Sequence, residues 1–176
     1  MTLTDQLPSL RRTLPDPIAL DAWPEDTRAR IDDVVVGGLS LRAVVAVTGT
    51  PCVHAGAAVV PGTGGVPSPD RVASVVVAMV VAVTSTEDLV GIALDVDAGD
   101  APLDWAETRL VGRASTARRR RSAVVRDGRI VATAPLVADV APGDLLAIPC
   151  AGSVHVRAGV LVPGSAERVD WLPLLR

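Results

Sequence analysis

The stretch VVPGTGGVPSPDRVASVVVAMVVAV, residues 59–83, joins a loop of glycines and prolines to an apolar run that starts at Val72. Three readings compete for it: a phosphate cradle, a membrane segment and a buried strand. A phosphate-binding loop ends in Gly-Lys-Ser or Gly-Lys-Thr, and a dinucleotide-binding loop opens a helix; Gly62, Gly64 and Gly65 belong to neither pattern. The run over 72–83 is shorter than the roughly 20 apolar residues that a spanning helix needs, and Asp70-Arg71 and Glu87-Asp88 bracket it. Continuous apolarity rich in valine fits a strand covered on both faces. The glycine loop is then a turn.

The rest of the chain extends that reading. Its 176 residues are 49% hydrophobic and 21% charged, enough for one globular domain with a substantial core. Val, Ala and Leu carry the apolar content, with no Phe or Tyr, and the tryptophans are Trp23, Trp105 and Trp171. Beyond residue 83, strands are expected over 89–95, 108–113, 122–125, 129–134, 145–149 and 154–162, separated by Gly, Pro, Asp or Ser clusters. This spacing predicts a mainly β fold, a barrel or a sandwich, with one or two short helices.

Upstream, Val34, Val35 and Val36 read as a strand of the same domain, and 51–55 as another. Between them a helix is expected over 40–47, because Leu39, Ala43 and Val47 recur at four-residue spacing and Gly49 is a stop. Residues 1–30 read as a loosely packed, proline-punctuated arm with a helical turn over 24–30, and 31–176 as a single β-rich domain.

Charge and residue types narrow the chemistry. A net charge of -3 offers no broad attraction to nucleic acid. Arg118, Arg119, Arg120 and Arg121 form a local basic strip, read as a solvated loop and a candidate interaction surface. Charges and prolines near the N-terminus interrupt the apolar stretch a signal peptide needs, so a cytoplasmic protein with free, buried Cys52 and Cys150 is expected. No membrane association is expected. All 17 basic residues are arginine. A guanidinium stays protonated and cannot attack a carbonyl, so Schiff-base chemistry on a lysine of this chain is excluded.

His54 and His155 are the candidate bases. Cys52 and His54 alternate on an extended segment and so share one face. With Cys150 and His155 they make an alternative ligand or metal site, but two ligands alone do not hold zinc. Packing and hydrogen-bonding roles are the expectation for these residues, with no metal and no cofactor.

Three segments carry a family resemblance. VVVGGLSLRAVVAVTGTPCVH (34–54) resembles the start of diaminopimelate decarboxylases, with its Gly-Val, helix and Gly-Thr-Pro passage. VDAGDAPLDWAETRLVGRASTA (96–117) resembles the family's Asp-Gly-Gly turn and Arg-Leu-hydrophobic-Gly-Arg strand. APLVADVAPGDLLAIPCAG (134–152) resembles its Pro-Gly-Asp-Leu turn and final Gly-Ala-Tyr strand.

The resemblance implies a β domain made of the family's first strand and C-terminal segment, alanine racemase-like in its C-terminal part. The intervening α/β barrel, which takes about 250 residues and carries pyridoxal phosphate, is missing. The family's Glu-Pro-Gly-Arg becomes Val60-Pro61-Gly62-Thr63 and its Gly-Ala-Tyr becomes Gly152-Ser153-Val154; its Cys-Glu-Ser-Gly-Asp motif is absent, either replaced where Val124 and Val125 stand or lost in a small deletion. Pro61-Gly62 then marks a splice.

The functional expectation is a non-catalytic, freestanding relative that acts by association, with a regulatory role in lysine or amino-acid biosynthesis. Its implied partners are a second copy, in a homodimer, or a full-length decarboxylase.

Overall fold

The computed structural model describes residues 2–85 and 89–164, so Glu87, Asp88 and Trp171 lie outside the described residues. The N-terminal arm begins with α1 (Leu3–Gln6), held by a capping box in which Thr2 and Asp5 each bond the other's backbone. Tight helical turns follow at Pro8–Arg12 and Leu20–Ala22. The helical turn expected over 24–30 is not there. Asp26 has φ 53°, outside the helical region, the Thr27 hydroxyl donates to the Pro24 carbonyl, and Arg28–Ala29 is a strand, β1. The arm is also not loosely packed: Trp23 has no exposed surface, and Thr4, Arg11 and Thr27 are buried.

β1 pairs with β2 (Val34–Val36), and β2 with β3 (Leu39–Ser40), in a small antiparallel sheet. Helix α2 (Leu41–Thr48) follows, close to the expected 40–47, but another face turns inward: Leu39, which lies in β3, Ala43 and Val47 are exposed, and Leu41 is buried. Ser40 caps it by accepting from the Ala43 amide at 3.1 Å, and Gly49 ends it with φ 75°.

The main sheet is built on a hairpin. β4 (Cys52–Val59) and β5 (Pro67–Ser85) pair antiparallel from Cys52↔Val77 to Val59↔Pro67. The Gly62, Gly64 and Gly65 loop is therefore the connection between two strands; no helix N-terminus follows it to cradle a phosphate. On its other edge β5 pairs with β10 (Leu145–Ala151), which pairs with β7 (Arg109–Val111). Beyond a bulge at Val81, β5 pairs with β6 (Val90–Leu94). β6 runs parallel to β8 (Arg119–Arg126), and β8 pairs with β9 (Arg129–Val137). The seven-stranded sheet, in order β7-β10-β5-β6-β8-β9 with β4 also on β5, curls into a half-barrel.

This arrangement accounts for the valine run. Val75 and Val77 face one side of the sheet, where Trp23, Val34, Val36, Leu41 and Val111 cover them. Val76 faces the other side with Cys150, Val154 and Leu161. Farther along that second face, Val80 joins Ile92, Val124, Leu136 and Leu146 inside the curl. Alternation disappears from the sequence because both faces are covered. Val81, the extra residue of the bulge, is 48% exposed and breaks the pattern.

Two further expectations are corrected. Residues 154–162 are a hairpin, β11 (Val154–Arg157) and β12 (Val160–Pro163), because Ala158 and Gly159 both have positive φ, 50° and 77°, as a two-residue turn of this kind requires. Val34–Val36 shares the core of the large sheet but is hydrogen-bonded in the small one. The Gly112 amide, donating to the Asp32 carbonyl at 2.7 Å, ties the small sheet to the end of β7.

Candidate functional site

Strand register decides the fate of the cysteine and histidine set. Cys52 lies opposite Val77 and His54 opposite Val75, so both share the face under Trp23 and Val34. Cys150 lies opposite Ser74, on the reverse face with Val76. His155 is exposed on β11. The four residues do not converge, and among the described residues no group of three or more His, Cys, Asp or Glu is placed to hold a metal. Burial pushes the Cys150 thiol up to about 11 and also raises that of Cys52, with Asp95 adding to the rise and a Thr48 hydrogen bond opposing it. Neither thiol is activated as a nucleophile.

The arginine run is divided as well. It is not a solvated loop throughout, because β8 begins at Arg119. Arg118, Arg120 and Arg121 are exposed, but Arg119 turns inward and donates to Asp16 at 2.8 Å.

Arg119 leads to the most developed polar constellation in the described residues. The curl leaves a seam between β7 and β9, and the N-terminal arm lies over it. A cavity of about 50 Å³ sits there, lined by Arg11, Asp16, Arg109, Arg113, Ser115 and Arg119 among others.

Arg11 is 4% exposed. It donates to Asp16 Oδ1 at 2.9 Å, to the Ala117 carbonyl at 2.7 Å and to Asp5 at 3.3 Å. Arg109 donates through Nη1 to the Thr108 carbonyl, and through Nη2 to the Pro17 carbonyl at 2.6 Å and Glu107 at 2.9 Å. Burial pushes its guanidinium down from the ordinary arginine value; Glu107 opposes the change and the charge of Arg119 adds to it. Arg113 forks onto both oxygens of Asp144 at 2.7 Å and reaches Asp139, whose other oxygen accepts from the Ser115 hydroxyl. Those hydrogen bonds, against the cost of burial, raise the Arg113 guanidinium.

Glu107 fastens the arm to this seam. Its Oε2 accepts from the Ala19 amide at 3.0 Å, the Trp23 indole at 3.2 Å and Arg109. The long-range partners of Asp16 and Glu107 were not legible in the sequence, since Arg119 lies 103 positions from Asp16 and Ala19 lies 88 from Glu107. The available hint was Arg109 two residues before Val111 in a short strand, which puts a basic and an apolar side chain on one face; Arg113 lies beyond the strand's end, after Gly112 at φ 95°.

Comparison of the chain with protein-family models, with curated proteins and with solved structures finds no match. Among the described residues no helix is long and apolar enough to cross a membrane.

Proposed function

We propose that the chain acts by protein association and carries out no chemistry of its own, as a freestanding relative of the β domain of diaminopimelate decarboxylases. The observation that carries the association reading is the outer strand of the sheet. β9 ends the strand order, and two successive residues at an irregularity in its pairing with β8, Ile130 and Val131, are 59% and 53% exposed. An edge strand with apolar side chains in water is a template for pairing.

The favoured partner is a second copy, joined through β9 in an isologous interface. The neighbouring Arg118, Arg120 and Arg121 are exposed and suit an acidic surface, with a salt-dependent association rate, if the partner is a different chain. The family relationship is supported by the direct pairing of β4 with β5 across residues 60–66, where the resemblance puts the excised barrel. Val34–Val36 lends it no support, because that strand is hydrogen-bonded outside the large sheet.

Sedimentation over a tenfold dilution in the micromolar range tests the assembly. A dimer that Ile130→Lys converts to monomer is the expected result. A wild-type monomer at every concentration removes the homodimer, and the decarboxylase partner is then tested by co-sedimentation with the full-length enzyme.

A further inference from the structure

Two residues that line the cavity at the half-barrel seam, Arg109 and Arg119, each carry a buried donor without an acceptor. The Nε atoms of Arg109 and Arg119 are buried and make no hydrogen bond, although the other nitrogens of Arg109 are held by Thr108, Pro17 and Glu107. Arg109 is 8% exposed. Buried polar groups in native proteins nearly always have partners, so two orphan donors on residues lining one cavity call for an acceptor.

Charge points the same way. Asp16 serves both Arg11 and Arg119 with its two oxygens, so neither guanidinium has that carboxylate to itself. Burial disfavours the charge on Arg109, and Arg119 adds like-charge repulsion. An acceptor carrying negative charge relieves the repulsion as well as satisfying the donors; a neutral acceptor does only the second. The cavity, about 50 Å³, exceeds the roughly 10–15 Å³ that one water needs.

We propose that this cavity binds a small oxyanion, a carboxylate or phosphate group, which accepts from Nε of Arg109 and Nε of Arg119. Pro135, Leu136 and Val137 of β9 wall part of this cavity, whereas the association edge proposed above lies at Ile130 and Val131, at the other end of the strand. The site ties the N-terminal arm, which supplies Arg11 and Asp16, to β7 and β8, which supply Arg109 and Arg119. Occupancy therefore stabilises the closed seam.

The test is the thermal unfolding midpoint in inorganic phosphate, acetate and chloride at constant ionic strength. A saturable rise with phosphate or acetate, absent with chloride, is expected, and the anion that acts at the lower concentration identifies the head group. Arg119→Lys keeps a cation for Asp16 and removes the Nε donor. It should move the saturation to about tenfold higher concentration, while Arg157→Lys on the exposed β11 leaves it in place. Equal responses to all three salts, or an unchanged saturation point in Arg119→Lys, overturn the proposal. If Arg119→Lys does not fold, wild-type crystals grown in phosphate decide: an oxyanion against both Nε atoms supports the site, and water alone there overturns it.

Discussion

Arg119 donates its Nη2 to Asp16 at 2.8 Å across 103 positions of sequence. Arg11 takes the other oxygen of the same carboxylate, so one acidic side chain of the arm is shared by two cations at the half-barrel seam.

Asp16→Asn leaves both guanidiniums short of a countercharge. The side chains of Arg11 and Arg119 are 5% and 19% exposed, so water restores little of what is lost. Removing one member of a buried ion pair costs about 3–5 kcal/mol; Arg11 keeps Asp5 and the Ala117 carbonyl, so a value near about 3 kcal/mol is expected. Urea unfolding checks it as a lowered midpoint with unchanged slope.

Acid should loosen the same seam. Burial is the largest single influence on Asp16 and raises its pKa, but hydrogen bonds from Thr4, Arg119 and Arg11 and the charge of Arg119 together hold it below the ordinary value. Asp139 is lowered against burial by Ser115 and Arg113. A carboxylate with a depressed folded pKa stabilises the fold above its unfolded value, about 3.9, and that contribution is lost as pH falls through the folded value. Stability from these groups should be level between about pH 7 and 5 and decline below about pH 4. Asp16→Asn, followed by urea midpoint against pH, should show a shallower decline.

Thiol labelling distinguishes the two faces of the sheet. Cys150 is buried with its pKa pushed up to about 11, and Cys52 is half-buried. At pH 8 a disulfide reagent should modify Cys52 slowly and leave Cys150 unmodified in the folded protein, with both reacting in denaturant. Mass spectrometry of the labelled peptides gives the answer; rapid modification of native Cys150 contradicts the placement.

Trp23→Ala tests whether the arm belongs to the core. Trp23 has no exposed surface, packs with Val34, Val36, Leu41 and Val75, and bonds Glu107 through its indole. Loss of a buried tryptophan of this kind costs about 3–5 kcal/mol. A change within about 0.5 kcal/mol, as for a surface residue, contradicts a core role for the arm.

Much of the fold was legible because local chemistry specified it. Gly49 marked the end of α2 through a left-handed backbone, and the valine run over 72–83 marked a strand that is covered on both faces from Ala73 to Val80. The errors came where a local signal had more than one outcome. Glu25 and Asp26 suited a helix N-terminus, yet Pro24 bridges Ala58, Glu25 donates its amide to the Ala57 carbonyl at 2.8 Å, and Asp26 has φ 53°. Ala158-Gly159 lacked a strong turn signature and was absorbed into a strand that is a hairpin.

The candidate site was hardly legible at all. Cys52 and His54 did share a face, as alternation required, but Cys150 was separated from them by the parity of its register with Ser74. Arg118, Arg119, Arg120 and Arg121 looked equivalent as a run, and only the approach of Asp16 singled out Arg119.

The sequence by itself determined the β-rich character, the helix with its caps, the hairpin turn before the valine strand and the absence of a lysine nucleophile from the chain. These follow from backbone preferences and residue chemistry within a few positions. Tertiary structure alone decided that the sheet curls, that Trp23 packs against Val75 and Val77, that Asp16 closes over the seam, and that Arg109 and Arg119, each with an unused donor, line one cavity there. Those outcomes depend on which strands pair and in what register. A shift of one residue exchanges the faces of a strand, while the side-chain composition of the segment stays the same.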